Sequence, residues 1–311
     1  RYVVIRGMDP DLNATSINGV RASSAEDRRA LQLDVIPTDV LDGLEVQKSL
    51  TPDMDGDAIG GSVNVKTLSA FSRKEVFLKT RFEGGYNELR EDWSPKASVA
   101  FSNIFELPGE RRLGIAAALS FQDRKLAADN FEADDWEQAD NGADYPETFE
   151  PRYYLVDRQR IGAVLNLDYD LSATTTVFMR SLYSEFEDTE ARYNQTYGDL
   201  TPLADESVVS GVADFGFAEI AMGTKDRVQT AENLSISVGS DSVWERWSLS
   251  SNFGFSYGEE REKSSVESTW VAEFETGADG IADGSPVMTL DSSNSSRLLV
   301  ASDHFDLLRD P

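Results

Sequence analysis

Trp247-Ser248-Leu249-Ser250-Ser251-Asn252-Phe253-Gly254-Phe255-Ser256-Tyr257 sets large apolar side chains at alternate positions, with Ser251 the exception, and small polar ones between them. Successive side chains of an extended strand point to opposite faces, so one face here is greasy and aromatic and the other small and polar. The stretch exceeds the roughly 5–6 residues of an ordinary strand and matches the roughly 9–11 that cross a bilayer at a tilt.

The same alternation recurs along the chain. Ile161, Ala163, Leu165, Leu167, Tyr169 and Leu171 oppose Gly162, Val164, Asn166, Asp168 and Asp170. Leu234, Ile236 and Val238 oppose Asn233, Ser235, Ser237 and Gly239. Val76, Leu78, Thr80, Phe82 and Tyr86 form one apolar face, Ala97, Val99, Phe101 and Phe105 another, and Leu113, Ile115, Ala117, Leu119 and Phe121 a third. The segment from Thr176 to Phe186 alternates poorly. Tyr86, Phe105, Phe121, Tyr169 and Tyr257 fall near the expected strand ends, where an interfacial aromatic girdle lies in membrane barrels.

The connections alternate too. Short ones are expected at 107–112, 172–174 and 241–243, and long ones at 125–152, 193–224 and 263–311. Tight turns on one side and extended loops on the other characterise an up-and-down membrane barrel. The long segments are acidic, with Asp129, Glu132, Asp134, Asp135, Glu137, Asp140 and Asp144 in the first. Such a run reads as a solvated surface, with divalent-ion bridging as the sharper alternative.

Bulk properties exclude several classes. A net charge of −27, from 29 basic and 56 acidic residues, repels phosphate backbones, so nucleic acid is not an expected partner. Cysteine is absent and His304 is the one histidine, which removes disulfides, thiolate sites and histidine-based zinc sites. No run of apolar residues is long enough for a helical span, which says nothing against strands. The abrupt start at Arg1-Tyr2-Val3 and stop at Arg309-Asp310-Pro311 read as truncations.

Residues 1–70 differ in texture: short apolar runs are punctuated by Gly, Pro, Asn and Asp. Val3-Val4-Ile5 is a strand candidate ended by Gly7, and Asn18-Gly19 signals a tight turn. A short helix is expected from Thr38, with Thr38 as its N-cap, and Gly43 to Val46 returns to strand. This is a small mixed α/β module ahead of the long strands.

That module resembles the plug of TonB-dependent outer-membrane receptors. The resemblance rests on Ile5-Arg6-Gly7, Ile17-Asn18-Gly19-Val20, Asp34 with Ile36-Pro37, and Leu44-Glu45-Val46 with Lys48-Ser49. Its most specific part runs from Thr51-Pro52-Asp53-Met54-Asp55-Gly56-Asp57 through Ala58-Ile59-Gly60-Gly61-Ser62-Val63-Asn64-Val65-Lys66-Thr67. The implied architecture is mostly β: the C-terminal part of a plug over 1–70, then over 71–311 about seven or eight of roughly twenty-two antiparallel barrel strands. Arg6, Gly7, Asn18, Gly19, Glu45, Lys48, Asp57, Gly60, Gly61 and Asn64 are then structural plug residues. Gly60-Gly61 would let the plug backbone pass against the barrel wall, and Arg6, Glu45 and Lys48 would need partners in an enclosed interior.

The resemblance implies energy-coupled import of a scarce nutrient, a siderophore, an oligosaccharide or similar, and no enzymatic activity or cofactor. It implies an inner-membrane TonB complex as partner, engaged through a segment outside this chain, and a surrounding bilayer with lipopolysaccharide. The plug loops around 9–13 and 21–27 would face the ligand, with Asp11, Asn13, Arg21 and Glu26 as candidates; solvated turn residues are the plainer reading of the same four. Asp53-x-Asp55-x-Asp57 mimics the start of a calcium loop, but the sixth and twelfth places hold Ala58 and Asn64 instead of Gly and Glu. Asn13-Ala14-Thr15 and Asn233-Leu234-Ser235 match short glycosylation patterns that arise by chance. The competing class is a soluble or secreted β-sandwich that binds or processes carbohydrate.

Overall fold

Period-two alternation becomes long antiparallel strands in the computed structural model, which describes residues 2–51, 54, 56, 58–73, 75–209, 211–278, 281–291 and 299–301. Asp53, Asp55, Asp57 and His304, with the putting together of any calcium loop, lie outside those residues. The first module contains β1 (Asn13–Ile17), β2 (Val20–Arg21), β3 (Leu41–Gln47) and β4 (Gly61–Thr67), in the order β2-β1-β4-β3. Strands β1 and β4 run parallel with Ser16 beside Asn64, and β3 pairs antiparallel to β4 with Glu45 beside Asn64.

The wall strands are β5 (Phe77–Asn87), β6 (Asp92–Leu107), β7 (Arg111–Gln138), β8 (Asp144–Ser172) and β9 (Thr175–Pro202). After a two-residue β10 (Val208–Val209) come β11 (Val212–Trp244), β12 (Trp247–Glu275), β13 (Met288–Asp291) and β14 (Leu299–Ala301). Sequential neighbours pair from β5 through β9, and β11 follows with β12 on its other edge. The register is unbroken from Asn87 beside Asp92 to Phe77 beside Ser102, and from Leu107 beside Arg111 to Lys96 beside Gln122.

Several expectations need correction. Most of 125–152, 193–224 and 263–275 is strand rather than loop, because β7, β8, β9, β11 and β12 run on far past their apolar alternation. Polar strands without one greasy face carry no period-two signal, so their acidity reads as loop. The third short turn is Glu245-Arg246, between β11 and β12, and 241–243 lies inside β11. Phe121 and Tyr257 consequently lie inside β7 and β12, at the point where the alternation stops, whereas Tyr86, Phe105 and Tyr169 are near strand ends. Val3-Val4-Ile5 forms no strand. Thr38 opens a 3-10 turn, Thr38–Val40, whose N-cap is Pro37; the helices among the described residues are 3-10 turns of three residues.

The described chain forms two compact units. The first comprises 1–126, 156–189 and 227–264, and the second 127–155, 190–226 and 265–311. In the first, Ile17, Val35, Ile36, Val40, Val65 and Leu68 of the small module form one core with Ala100, Ala116, Ala118, Val164, Leu182 and Phe186 of the wall. Half of these wall residues are alanine, on β6 and β7, and the larger Val164, Leu182 and Phe186 come from β8 and β9, so close packing there depends on matched shape. In the second, Phe149 stacks on Tyr197 with centroids 4.4 Å apart and on Phe131 at 5.6 Å, within a core that includes Phe215, Ile220 and Met288.

Candidate functional site

The wall has two chemically distinct faces. Gly114, Ala116, Ala118 and Ser120 of β7 and Gly162, Val164, Asn166, Asp168 and Asp170 of β8 are buried toward the small module. The residues alternating with them point the other way and stay open: Leu119 is 59% exposed, Leu165 45% and Leu171 51%, and Phe82 of β5 and Phe253 of β12 are bare as well. No sheet or helix covers these side chains among the described residues.

The seam between module and wall is dense with hydrogen bonds. Asn166 Nδ2 donates to Thr67 Oγ1 at 2.7 Å and to the Leu68 carbonyl at 2.5 Å. The Ser69 hydroxyl donates to Asp168 Oδ2 at 3.0 Å, and Arg180 pairs with the other carboxylate oxygen of Asp168. Arg160 Nε donates to the Asp34 carbonyl at 2.7 Å. Lys96 Nζ sits 2.7 Å from the buried Asp39 carboxylate. On β12, the Ser23 N–H donates to Ser256 Oγ at 2.9 Å and the Ser23 hydroxyl donates to the Ser256 carbonyl at 3.1 Å. Glycine makes this approach possible: a Cβ on Gly258 would lie 2.7 Å from the Ser24 carbonyl oxygen, and one on Gly254 2.2 Å from Val20.

Within the small module, Asn18 (φ 50°) and Gly19 (φ 80°) make the expected tight turn. Asn64 Oδ1 accepts from the Ser16 hydroxyl and the Gly19 N–H, both at 3.0 Å, and the Thr67 N–H donates to Asn18 Oδ1 at 3.0 Å. Arg6 (φ 55°) and Gly7 (φ 73°) form a turn. Gly60 and Gly61 do make close approaches, but inside the module. A Cβ would meet Asn13 Oδ1 at 2.2 Å from Gly60 and the Gln47 carbonyl at 2.7 Å from Gly61. Arg6, Glu45 and Lys48 are exposed among the described residues: Glu45 lies on β3, an edge strand open on both faces, Arg6 in the turn ahead of β1, and Lys48 just past β3. Glu45 pairs with Lys66, which holds its carboxyl below the usual range.

The four candidate ligand-facing residues divide. Asn13 is buried, and its Nδ2 donates to the Val3 carbonyl at 2.9 Å. Glu26 accepts the Tyr2 hydroxyl. Arg21 is exposed on β2 and lines a small polar hollow with Glu45 and Asn64. Asp11 accepts the Ala30 N–H at 2.8 Å and pairs with Arg28 at 3.1 Å, closing the 12–30 segment on itself.

The Ala30 N–H, then Arg28, lowers the Asp11 pKa. A depressed carboxylate stabilises the fold above its unfolded pKa of about 3.9 and loses that contribution as pH falls through its folded value. Asp11→Ala is therefore expected to lower the protection factor of the Ala30 amide at neutral pH, while the parent's protection factor falls only as the pH drops through the folded pKa of Asp11. Equal protection in both at neutral pH would rule out the latch.

The second unit holds a cavity of about 900 Å³, lined by side chains from β7, β8, β9, β11 and β12. Sequence reading missed it, since its stretches carried no period and were assigned to loops. Among the described residues no cluster of three or more acids or histidines is arranged to hold a metal ion.

Comparison with known proteins gives one family match: the TonB-dependent Receptor Plug Domain, over residues 1–62. No curated protein matches the chain. Solved structures that match include the outer membrane transporter YddB from Escherichia coli, at 12% identity and TM-score 0.29, covering 93% of this chain and 53% of that one. The siderophore receptor PiuA from Acinetobacter baumannii matches at 12% identity and TM-score 0.30, covering 93% and 48%. The chain thus spans about half the length of the structures it matches.

Proposed function

We propose that this chain, whose residues 1–62 match the TonB-dependent Receptor Plug Domain, belongs to an outer-membrane importer in which the plug sits against a lipid-facing barrel wall. The observation that carries this reading is the two-faced wall. Its small polar face is hydrogen-bonded to the plug, and its large apolar face is bare. In water such a face would be an aggregation site; in a bilayer it is the solvated surface. The apolar alternation of 113–121, 161–171 and 247–257 is about one bilayer crossing long. A β-sandwich would cover that face with a second sheet.

In this reading a ligand arrives from outside, and an inner-membrane TonB complex, engaging a segment beyond these residues, draws on the plug. The cargo is a scarce nutrient, and the surrounding bilayer with lipopolysaccharide is a structural partner. The test is fractionation and transport with the full-length protein. It should partition with outer membranes, run heat-modifiably, and support uptake that stops when the inner-membrane potential is collapsed. Uptake that survives the collapse, or recovery as a detergent-free soluble monomer, overturns the proposal. Phe253→Arg sets a charge on the bare face and should weaken folding into lipid vesicles by about 2–4 kcal/mol. A change under about 0.5 kcal/mol, ordinary for a water-exposed surface site, would place Phe253 outside the lipid.

A further inference from the structure

Four charged side chains meet where the small module touches the first wall hairpin. Glu83 of β5 and Lys96 of β6 are register partners across the ladder, so their side chains leave one face of the sheet at neighbouring points. Arg81, two residues back along β5, shares that face. Asp39 enters from the module, in the 3-10 turn Thr38–Val40. Lys96 Nζ lies 2.7 Å from Asp39 Oδ2 and 3.7 Å from Glu83 Oε2. Arg81 pairs closely with Glu83, and its Nη1 lies 3.7 Å from Asp39 Oδ1. Two cations of the wall are thus shared between a carboxylate of the module and a carboxylate of the wall itself.

The two acids differ in freedom. The Asp39 side chain is 5% exposed and that of Glu83 40%. Asp39 is held in the seam, whereas Glu83 has room to turn and already stands within reach of both cations. With Asp39 in place the four charges balance. With Asp39 withdrawn, Glu83 still faces Arg81 and Lys96 at a site then open to water. Were Glu83 neutral, the withdrawal would leave two adjacent cations with neither carboxylate between them, and like charges at that spacing repel.

Arg160 repeats the arrangement. Its Nε donates to the Asp34 carbonyl of the module at 2.7 Å. Its Nη1 also donates to Gln122 Oε1 of β7 at 3.5 Å, and its guanidinium lies 4.7 Å from the centroid of the Phe186 ring of β9. Here too the wall keeps partners of its own for a cation that it shares with the module. A buried charge stranded by the loss of its partner is among the costliest defects in a fold, and a second acceptor lowers that cost for the wall whenever the module leaves.

We propose that Glu83 is a stand-in carboxylate: it takes over Lys96 and Arg81 from Asp39 when the 33–40 segment lifts from the wall, and releases them when the segment returns. The proposal rests on the importer reading for its purpose, since there the plug is drawn from its seat, and it gives the chemistry by which the seat lets go.

The test is amide hydrogen exchange of the full-length protein in lipid vesicles, read by mass spectrometry over peptides that carry Ile36, Val40 and Leu41. Their N–H groups donate to the Leu33, Pro37 and Thr38 carbonyls and report opening of the segment. Glu83→Gln removes the stand-in, so opening becomes rarer and protection of these amides is expected to rise about ten-fold, the size of one coupling between charged neighbours. A carboxylate that merely braces the seam predicts the opposite sign. Asp39→Asn should lower protection only about three-fold, within the range of such couplings, because Glu83 retains both cations. In the Asp39→Asn background nothing is left to exchange, and Glu83→Gln should no longer raise protection. Glu91→Gln, which removes the same charge from the β5–β6 turn, should change nothing. Heat-modifiable migration certifies that each variant has folded. Unchanged or lowered protection in Glu83→Gln, a rise that persists without Asp39, or a rise shared by Glu91→Gln each overturns the stand-in role. Energy-dependent uptake by the parent is scored separately, so the importer reading can survive that failure.

Discussion

Asp168→Ala is expected to destabilise the folded protein by about 3–5 kcal/mol, the usual consequence of removing one partner from a buried ion pair. Asp168 is nearly inaccessible and pairs with Arg180, whose Nη1 also donates to the Leu167 carbonyl at 3.0 Å. Without the carboxylate the Arg180 charge stays in the wall with carbonyls as its main remaining partners, and the Ser69 hydroxyl loses its acceptor. Asp168→Asn separates the two effects, since an amide oxygen still accepts from Ser69 while the charge pairing is gone. Denaturant unfolding in lipid vesicles, followed by tryptophan fluorescence, reads both. If the alanine variant unfolds within about 0.5 kcal/mol of the parent, as a solvated surface site would, the pair is exposed to water and the packed-seam description is wrong.

The second large effect is expected at Gly61, where a side chain meets backbone rather than another side chain. Its φ is 155°, and a Cβ would lie 2.7 Å from the Gln47 carbonyl and 2.9 Å from Ile5 Cδ1. Gly61 stands at the start of β4, whose partners on either side are β1 and β3. Gly61→Val therefore forces β3 and β4 apart. Backbone strain and overpacking each cost about 1–3 kcal/mol, enough together to unfold a small plug without dissolving the barrel. The expected outcome is faster proteolysis within residues 1–70. A variant as protease-resistant as the parent would show that this glycine is not needed for close approach.

Legibility in the sequence followed contrast between faces. On β8 the set Gly162, Val164, Asn166, Asp168 and Asp170 is the buried face and Ile161, Leu165 and Leu171 the open one, and this division can be read by eye because small and polar groups alternate with large apolar ones. Beyond Phe121 and Tyr257 apolar residues are sparse and acids frequent, so the period is lost and strand became indistinguishable from loop, although Phe131, Phe149 and Tyr197 pack together there. The cavity was hidden for a further reason. Phe131, Tyr153, Tyr193, Met222 and Trp270 meet through strand register across four hairpins, a relation no local window contains. The exposure of Arg6 and Lys48 was not legible because both stand outside the strands, Arg6 in a turn and Lys48 just past β3, where no alternation assigns a side. Asn18, Gly19 and Asn64 were legible because turn chemistry is local.

The alanines and glycines that face the plug from the wall give that seam low relief. Surfaces studded with long side chains interlock, and moving one along the other first requires lifting it clear. The rows of Gly114, Ala116 and Ala118 leave little to climb over, whereas Leu182 and Phe186 add bulk and Arg160 and Lys96 reach across to Asp34 and Asp39. Neutral hydrogen bonds contribute only about 0.5–1.5 kcal/mol each once water can replace them, so sliding is opposed chiefly at those four side chains and hardly at all along the alanines.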